Sequence, residues 1–299
     1  MEEVARISQM PFAMSCANPN SSSEQLFIPK RLLSKYKQAL ATPITDGASW
    51  AMKPEDAYFS NISPSDIMNW RSRLSPLSLS NKQWSNFTRK LFNNLEKDGF
   101  GEIYDIRLNG SLARMFSNPT KPSLATAQEA IDWYEEEYDS KPSNQKCQDI
   151  ADNFNKWLGP VEQRQNSDVP RWRFVDLFYN LGLASERSDI DIQISSNFLG
   201  DAITNVCSEN GINGKDCKHR FGFYDREMTE EILPHTAKLM NKWSNKDGIG
   251  IDFTFVVFDS EGPQNSIAHF RDDDWLIGRP CEGGEFCEVP NWYTEDWKG

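Results

Sequence analysis

Ser188-Asp189-Ile190-Asp191-Ile192 sets two carboxylates one residue apart, at the start of a run to Ser195 that alternates polar with β-branched residues. That alternation is the period of a half-buried strand, whose successive side chains point to opposite faces. Asp189 and Asp191 are therefore expected side by side on one face. Carboxylates held this way repel, and a bound divalent cation is the usual relief. A third acid, Asp252, falls in a second strand-like run from Ile249 to Phe258. A lone carboxylate among apolar neighbours is expensive there unless it is paired. Three carboxylates on adjacent strands would make a cage of hard oxygen ligands suited to Mg²⁺. Upstream, Leu108-Asn109-Gly110-Ser111-Leu112-Ala113-Arg114 supplies a Gly-Ser turn.

The elements that must carry these residues are legible in part. Asn81 to Lys97 places Trp84, Phe87, Leu91 and Leu95 at helical spacing, with Lys82, Arg89 and Lys97 off that stripe and Gly99 as the stop. Glu102 to Leu108 then reads as a strand that delivers Asn109-Gly110-Ser111 at its end. Before it, Leu26 to Leu40 predicts a helix ending ahead of Thr42-Pro43, and residues 42 to 80 predict short helices and loops. Between Gly-Ser and Asp-x-Asp, Leu124, Ala127, Ile131, Tyr134 and Tyr138 share one helical face, with Glu129, Asp132, Glu135, Glu136 and Asp139 on the other. Cys147, Ile150, Phe154, Trp157 and Leu158 mark a second helix closed by Gly159-Pro160, so a helical hairpin is expected. Arg164, Arg171 and Arg173 form a basic cluster after it. Downstream, Phe198 to Cys207 and Glu227 to Trp243 predict helices, the latter kinked or divided at Pro234. Arg220 to Tyr224 is a further strand candidate.

Composition narrows the classes. A chain of 299 residues with 38% hydrophobic and 12% aromatic content can bury a core of one large or two modest domains, which excludes a disordered chain. A net charge of −12 argues against generic binding to nucleic-acid phosphates and favours a cationic or neutral acceptor. The six cysteines, at 16, 147, 207, 217, 281 and 287, include no C-x-x-C pair, and only three His accompany them. Zinc is not expected, and free thiols in a reducing compartment are, with Cys281–Cys287 as the alternative pair in an oxidising one. No apolar run approaches the roughly 20 residues that span a bilayer. A cytoplasmic protein is the expectation. His219, His235 and His269 fit no triad or metal spacing, and Asp272-Asp273-Asp274 reads as a charged loop.

The ordered set Gly110-Ser111, Asp189-Ile190-Asp191 and Asp252 resembles the nucleotidyltransferase superfamily that includes DNA polymerase β, the antibiotic nucleotidyltransferases and the cyclic-nucleotide synthases. The resemblance covers roughly the middle half of the chain. It implies an α/β (α+β) fold, a mixed sheet flanked by helices, with the core at residues 80–260 between an N-terminal arm and helical segment (1–79) and an acidic aromatic C-terminal segment (261–299). The family keeps its two motifs close in sequence, whereas here Met115 to Arg187 intervenes. A helical insertion at about 117–175, packed beside the cleft, accounts for the gap. Gly182 and Ser185 are then alternatives to Gly110 and Ser111 as the phosphate loop.

The resemblance further implies a magnesium-dependent enzyme moving a nucleoside monophosphate from an NTP, ATP among the candidates, to an acceptor hydroxyl with release of pyrophosphate. Two Mg²⁺ ions, or Mn²⁺ in their place, would sit roughly 3.5–4 Å apart on Asp189, Asp191 and Asp252. Asp252 would serve the acceptor hydroxyl. Gly110, Ser111 and Ser188 would hold phosphates, with Arg114 and Arg187 neutralising charge. The acceptor stays open among small molecule, protein, RNA end and second nucleotide, and no membrane partner is expected. Two alternatives remain: a nucleotide-binding or regulatory module with the same fold and no turnover, and a metal-dependent nuclease.

Overall fold

The computed structural model describes residues 28–44, 51–99, 103–116, 124, 126–158, 175–246, 250–259, 274–280 and 286–288. A helix stands where the clearest stripe predicts it: α4 runs Asn81–Lys97, after α1 (Lys30–Ala39), α2 (Pro54–Phe59) and α3 (Pro64–Arg71). Its start is fixed by a reciprocal cap in which Ser80 Oγ accepts from Gln83 N and Gln83 Oε1 accepts from Ser80 N at 2.9 Å. Trp84, Phe87, Leu91 and Leu95 are all buried.

Strand β1 (Asp105–Asn109) follows, then the one-turn helix α5 (Ser111–Arg114). Beyond α6 (Ala127–Tyr138), α7 (Asn144–Leu158) and the short α8 (Leu177–Asn180) comes β2 (Ile190–Ser195). Helices α9 (Asn197–Glu209), α10 (Arg226–Ile232) and α11 (Pro234–Ser244) lead to β3 (Phe253–Phe258), β4 (Trp275–Pro280) and β5 (Phe286–Glu288). Pro234 divides α10 from α11, since proline is tolerated in a first helical turn but not inside a helix. The strand expected at Arg220–Tyr224 is absent, and that stretch contributes one isolated bridge, Lys218 to Tyr224. Its backbone turns there instead: His219 N bonds Phe223 O, and Gly222 N bonds His219 O.

The sheet has the order β3-β2-β1-β4-β5, with β2 and β3 parallel and the remaining pairs antiparallel. The architecture is thus mixed α and β. The sheet also crosses the boundary expected near residue 260, because β4 pairs with β1 and β5 with β4. Alternation sorts the adjacent strands β1, β2 and β3 into two faces. Ile106, Leu108, Ile190, Ile192, Ile194, Phe253, Phe255 and Val257 are buried on one. There Phe87 of α4 and Trp243 of α11 close on Phe253, at centroid separations of 4.8 and 5.5 Å. Burying such an aromatic side chain is worth on the order of 2–3 kcal/mol. The opposite face is mixed, carrying the polar Asn109, Arg107, Asp191, Gln193 and Thr254 together with Val256 and the buried Phe258.

Asp98, just past α4, caps the partner helix α11. Its carboxylate accepts from His235 N and Thr236 N, each at 2.9 Å, and from Thr236 Oγ1 at 2.7 Å. The N-terminal helices share the same core, with Trp70 Nε1 donating to Ala113 O at 2.6 Å and Leu77 N to Leu112 O at 3.2 Å. The expectation of free thiols is overturned: no cysteine among the described residues is free. Cys207, at the end of α9, is bonded to Cys217 across a Cα–Cα distance of 6.0 Å, and Cys147 is disulfide-bonded as well. The turn that follows α9 folds back on the helix (Ile212 N to Cys207 O, 2.8 Å), which brings Cys217 beside it. Among the described residues no helix is long and apolar enough to cross a membrane.

Candidate active site

Asn109, the last residue of β1, lies directly opposite Asp191 of β2, and Asp191 is level with Thr254 of the parallel strand β3. Gly110 then leaves the sheet with φ 89° and ψ −177°, a conformation open almost only to glycine, and opens α5 as its cap. The reason for glycine is visible in the packing. A Cβ at Gly110 would lie 2.5 Å from Asp191 Oδ2 and 3.8 Å from the Asp189 carbonyl. The Gly-Ser turn is thereby seated on the Asp-x-Asp strand although 78 residues of chain separate Ser111 from Ile190 (190 − 111 − 1). Asn109 Oδ1 accepts from Gly110 N at 2.6 Å and steadies the turn.

Asp191 is half-buried. Burial pushes its carboxyl above the ordinary range, and the Thr254 hydroxyl, donating to Asp191 Oδ1 at 2.9 Å, works the other way by favouring the charged form. Asp252 is exposed and stands one residue ahead of β3, not within the strand as expected. Its backbone nonetheless abuts the pair: Ile190 N donates to Asp252 O at 2.8 Å. The sequence predicts a strand from Ile249, but among the described residues the pairing of β3 with β2 begins at Phe253 opposite Ile190. Among the described residues no three His, Cys, Asp or Glu side chains form a group close enough to hold a metal. The backbones that carry Gly110, Asp189, Asp191 and Asp252 converge, while the three carboxylates are not gathered into one cluster.

The flanking candidates separate. Arg114 Nε donates back to Gly110 O at 3.3 Å, within the turn itself. Arg187 is engaged elsewhere: Nε and Nη2 both reach Asp176 Oδ2, at 2.8 and 2.7 Å, and Nη2 also reaches Ser78 Oγ. Asp176 Oδ1 accepts from Ser188 N at 2.7 Å, so this buried acid fixes the approach to Asp189. Gly182 faces the insertion, where a Cβ would meet Lys146 Nζ at 3.7 Å and Asn153 Nδ2 at 3.8 Å. Ser185 is exposed. Of the two glycine–serine alternatives, Gly110 is the one that touches Asp191.

The insertion is pinned where it starts and ends, because Val175 N donates to Met115 O at 3.0 Å. Its hairpin, α6 against α7, is the expected one. Trp133 packs edge-on to Phe178 at 4.7 Å and Tyr138 Oη donates to Leu183 O at 2.9 Å, seating the hairpin on the stretch that leads back to Asp189. Glu129, Asp132, Glu136, Glu137 and Asp139 are exposed on it. Arg164, Arg171, Arg173, His269, Asp272, Asp273 and the Cys281 half of the Cys281–Cys287 pair lie outside the described residues. Asp274 departs from the charged-loop expectation and is fully buried at the start of β4.

Sequence reading missed Asn109, Thr254 and Asp176. Thr254 had a signal: it stands two residues after Asp252, hence on the same face of a strand. Asp176 had none, since its partners lie eleven and twelve residues away without helical or strand spacing. Comparison with protein-family models, curated proteins and solved structures finds no match to this chain.

Proposed function

We propose that this protein is a metal-dependent nucleotidyltransferase that moves a nucleoside monophosphate from an NTP to an acceptor hydroxyl and releases pyrophosphate. The observation that carries this proposal is the contact of Gly110 with Asp191, which joins a glycine turn to an Asp-x-Asp strand across an insertion. Asp189, Asp191 and Asp252 offer oxygen ligands alone, the chemistry that suits Mg²⁺, and the raised Asp191 carboxyl is a charge that a cation would relieve. Bound Mg²⁺ would supply charge stabilisation at the transferring phosphoryl group. The chain's own residues do the remainder. Gly110 lets the backbone come close to a phosphate, and Ser111 with the first amides of α5 donates to phosphate oxygens. Thr254 keeps Asp191 oriented, and Asp176 sets the position of Ser188 and thus of Asp189. Asp252, exposed one residue ahead of β3, would under this reading accept the acceptor hydroxyl's proton.

A second reading, a nucleotide-binding module without turnover, draws support from the carboxylates not being clustered among the described residues. The two part in one experiment. Incubation with each α-labelled NTP, Mg²⁺ and a cell extract gives a labelled acceptor and pyrophosphate under the first, and NTP binding without either product under the second. The disulfides favour an oxidising compartment in place of the cytoplasm expected from composition.

A further inference from the structure

A cleft of about 450 Å³ opens between the segment 60–80 and the segment 175–187. Its volume lies in the range of small-molecule sites, roughly 300–1,000 Å³. Three features mark it as a built site. Asn61, Ser78 and Asp176 line it, and all three hold left-handed backbone (φ 58°, 69° and 59°), a cost of on the order of 1 kcal/mol or more each for a residue with a side chain. Ser78, Arg187 and Asp176 form a hydrogen-bonded bridge between its two walls. Ser60 Oγ and Asn180 Nδ2, on residues that line it, are closed to solvent with no hydrogen-bond partner among the described residues, a state folded proteins rarely leave uncorrected.

The lining also selects a class of ligand. Two carboxylates, Asp66 and Asp176, face one guanidinium, Arg187, so the cleft disfavours a phosphate or other anion. Tyr179 lines the cleft and stays 42% exposed. A pyranose presents C–H groups on its faces and hydroxyls, each both donor and acceptor, around its edge. An exposed tyrosine ring covers the first, while Asn, Asp and Ser side chains meet the second. We propose that this cleft binds a neutral, sugar-like polyhydroxyl ring, stacked on Tyr179 and hydrogen-bonded to the accessible side chains of Asn61, Asp66 and Ser78. The cleft shares Asp176 and Arg187 with the approach to Asp189, but sugar binding is read without the transfer reaction and stands or falls independently of it.

Saturation-transfer NMR on the full chain tests it, with glucose, N-acetylglucosamine and glucose 6-phosphate as separate probes. At least one neutral sugar should receive saturation, and glucose 6-phosphate should bind about tenfold more weakly than glucose. Tyr179→Ala, at an exposed position that does not threaten the fold, should lower affinity at least about tenfold, a loss of roughly 1.4 kcal/mol. Tyr179→Phe should retain it. Three results would overturn the proposal: no transfer to either neutral sugar, binding undiminished in Tyr179→Ala, or glucose 6-phosphate binding as tightly as glucose.

Discussion

Gly110→Ala should be among the most damaging single-methyl additions in this chain. The backbone at Gly110 has φ 89° and ψ −177°, which costs a non-glycine residue on the order of 1–3 kcal/mol. The added carbon would stand 2.5 Å from Asp191 Oδ2, closer than real Cβ contacts come, so the carboxylate must turn away. Turning away gives up the Thr254 hydrogen bond, worth about 1 kcal/mol net, and crowding adds about another 1–3 kcal/mol. The total is about 3–7 kcal/mol, or on the order of 10 °C in melting temperature for a domain of this size. Gly182→Ala provides the internal control. It shares a positive φ of 75°, yet its Cβ would meet nothing nearer than 3.7 Å, so only the backbone cost of about 1–2 kcal/mol applies. Differential scanning calorimetry of both variants reads the difference. Equal losses would show that the contact between Gly110 and Asp191 does not organise this corner of the sheet.

Three further outcomes follow from the same structure. Asp191→Asn removes a charge whose burial is unfavourable, so the cation-free protein should melt higher than wild type at neutral pH, while any stabilisation by Mg²⁺ with NTP should disappear; unchanged Mg²⁺ stabilisation would mean that Asp191 is not a ligand. Burial pushes the Asp56 carboxyl from 3.8 up to about 7, so its contribution to stability is full below 3.8 and is lost as pH rises through about 7. Asp56→Asn, able to keep accepting from Lys53 N, should flatten the decline in melting temperature between those values, and a parallel decline would refute the assignment. Replacing Cys207 and Cys217 together by Ser should cost roughly 3 kcal/mol, since the bond closes a loop of sequence separation 10; dithiothreitol should then lower the melting temperature of wild type by more than that of the variant.

How far the sequence alone reaches depends on how local each cause is. Helix α4 is legible to the residue because its cap, its apolar stripe and its end all lie within twenty residues. The division of α10 from α11 is legible for the same reason, a proline acting on its own backbone. Strands β4 and β5 are not, because β5 is three residues long and pairs only with β4, whose own pairing with β1 spans more than half of the chain. At the site, the period-two pattern correctly puts Asp191 on the face opposite Ile190, Ile192 and Ile194, yet it cannot say where pairing with a neighbour begins, so Asp252 falls just outside β3. Arg187 looked like a phosphate ligand because nothing in its neighbourhood announces Asp176. The Cys207–Cys217 bond was missed because its spacing matches no metal or redox motif and only the turn after α9 joins the two sulfurs.

The most direct test of the central claim is release of pyrophosphate from α-labelled NTPs with Mg²⁺ and cell extract, run on wild type and on the Asp189→Ala/Asp191→Ala double variant. Nucleotidyl transfer predicts pyrophosphate and a labelled acceptor from wild type, both lost in the folded double variant and both abolished by EDTA. Transfer that survives the double substitution, or wild-type protein that binds NTP with no pyrophosphate from any nucleotide, would contradict it.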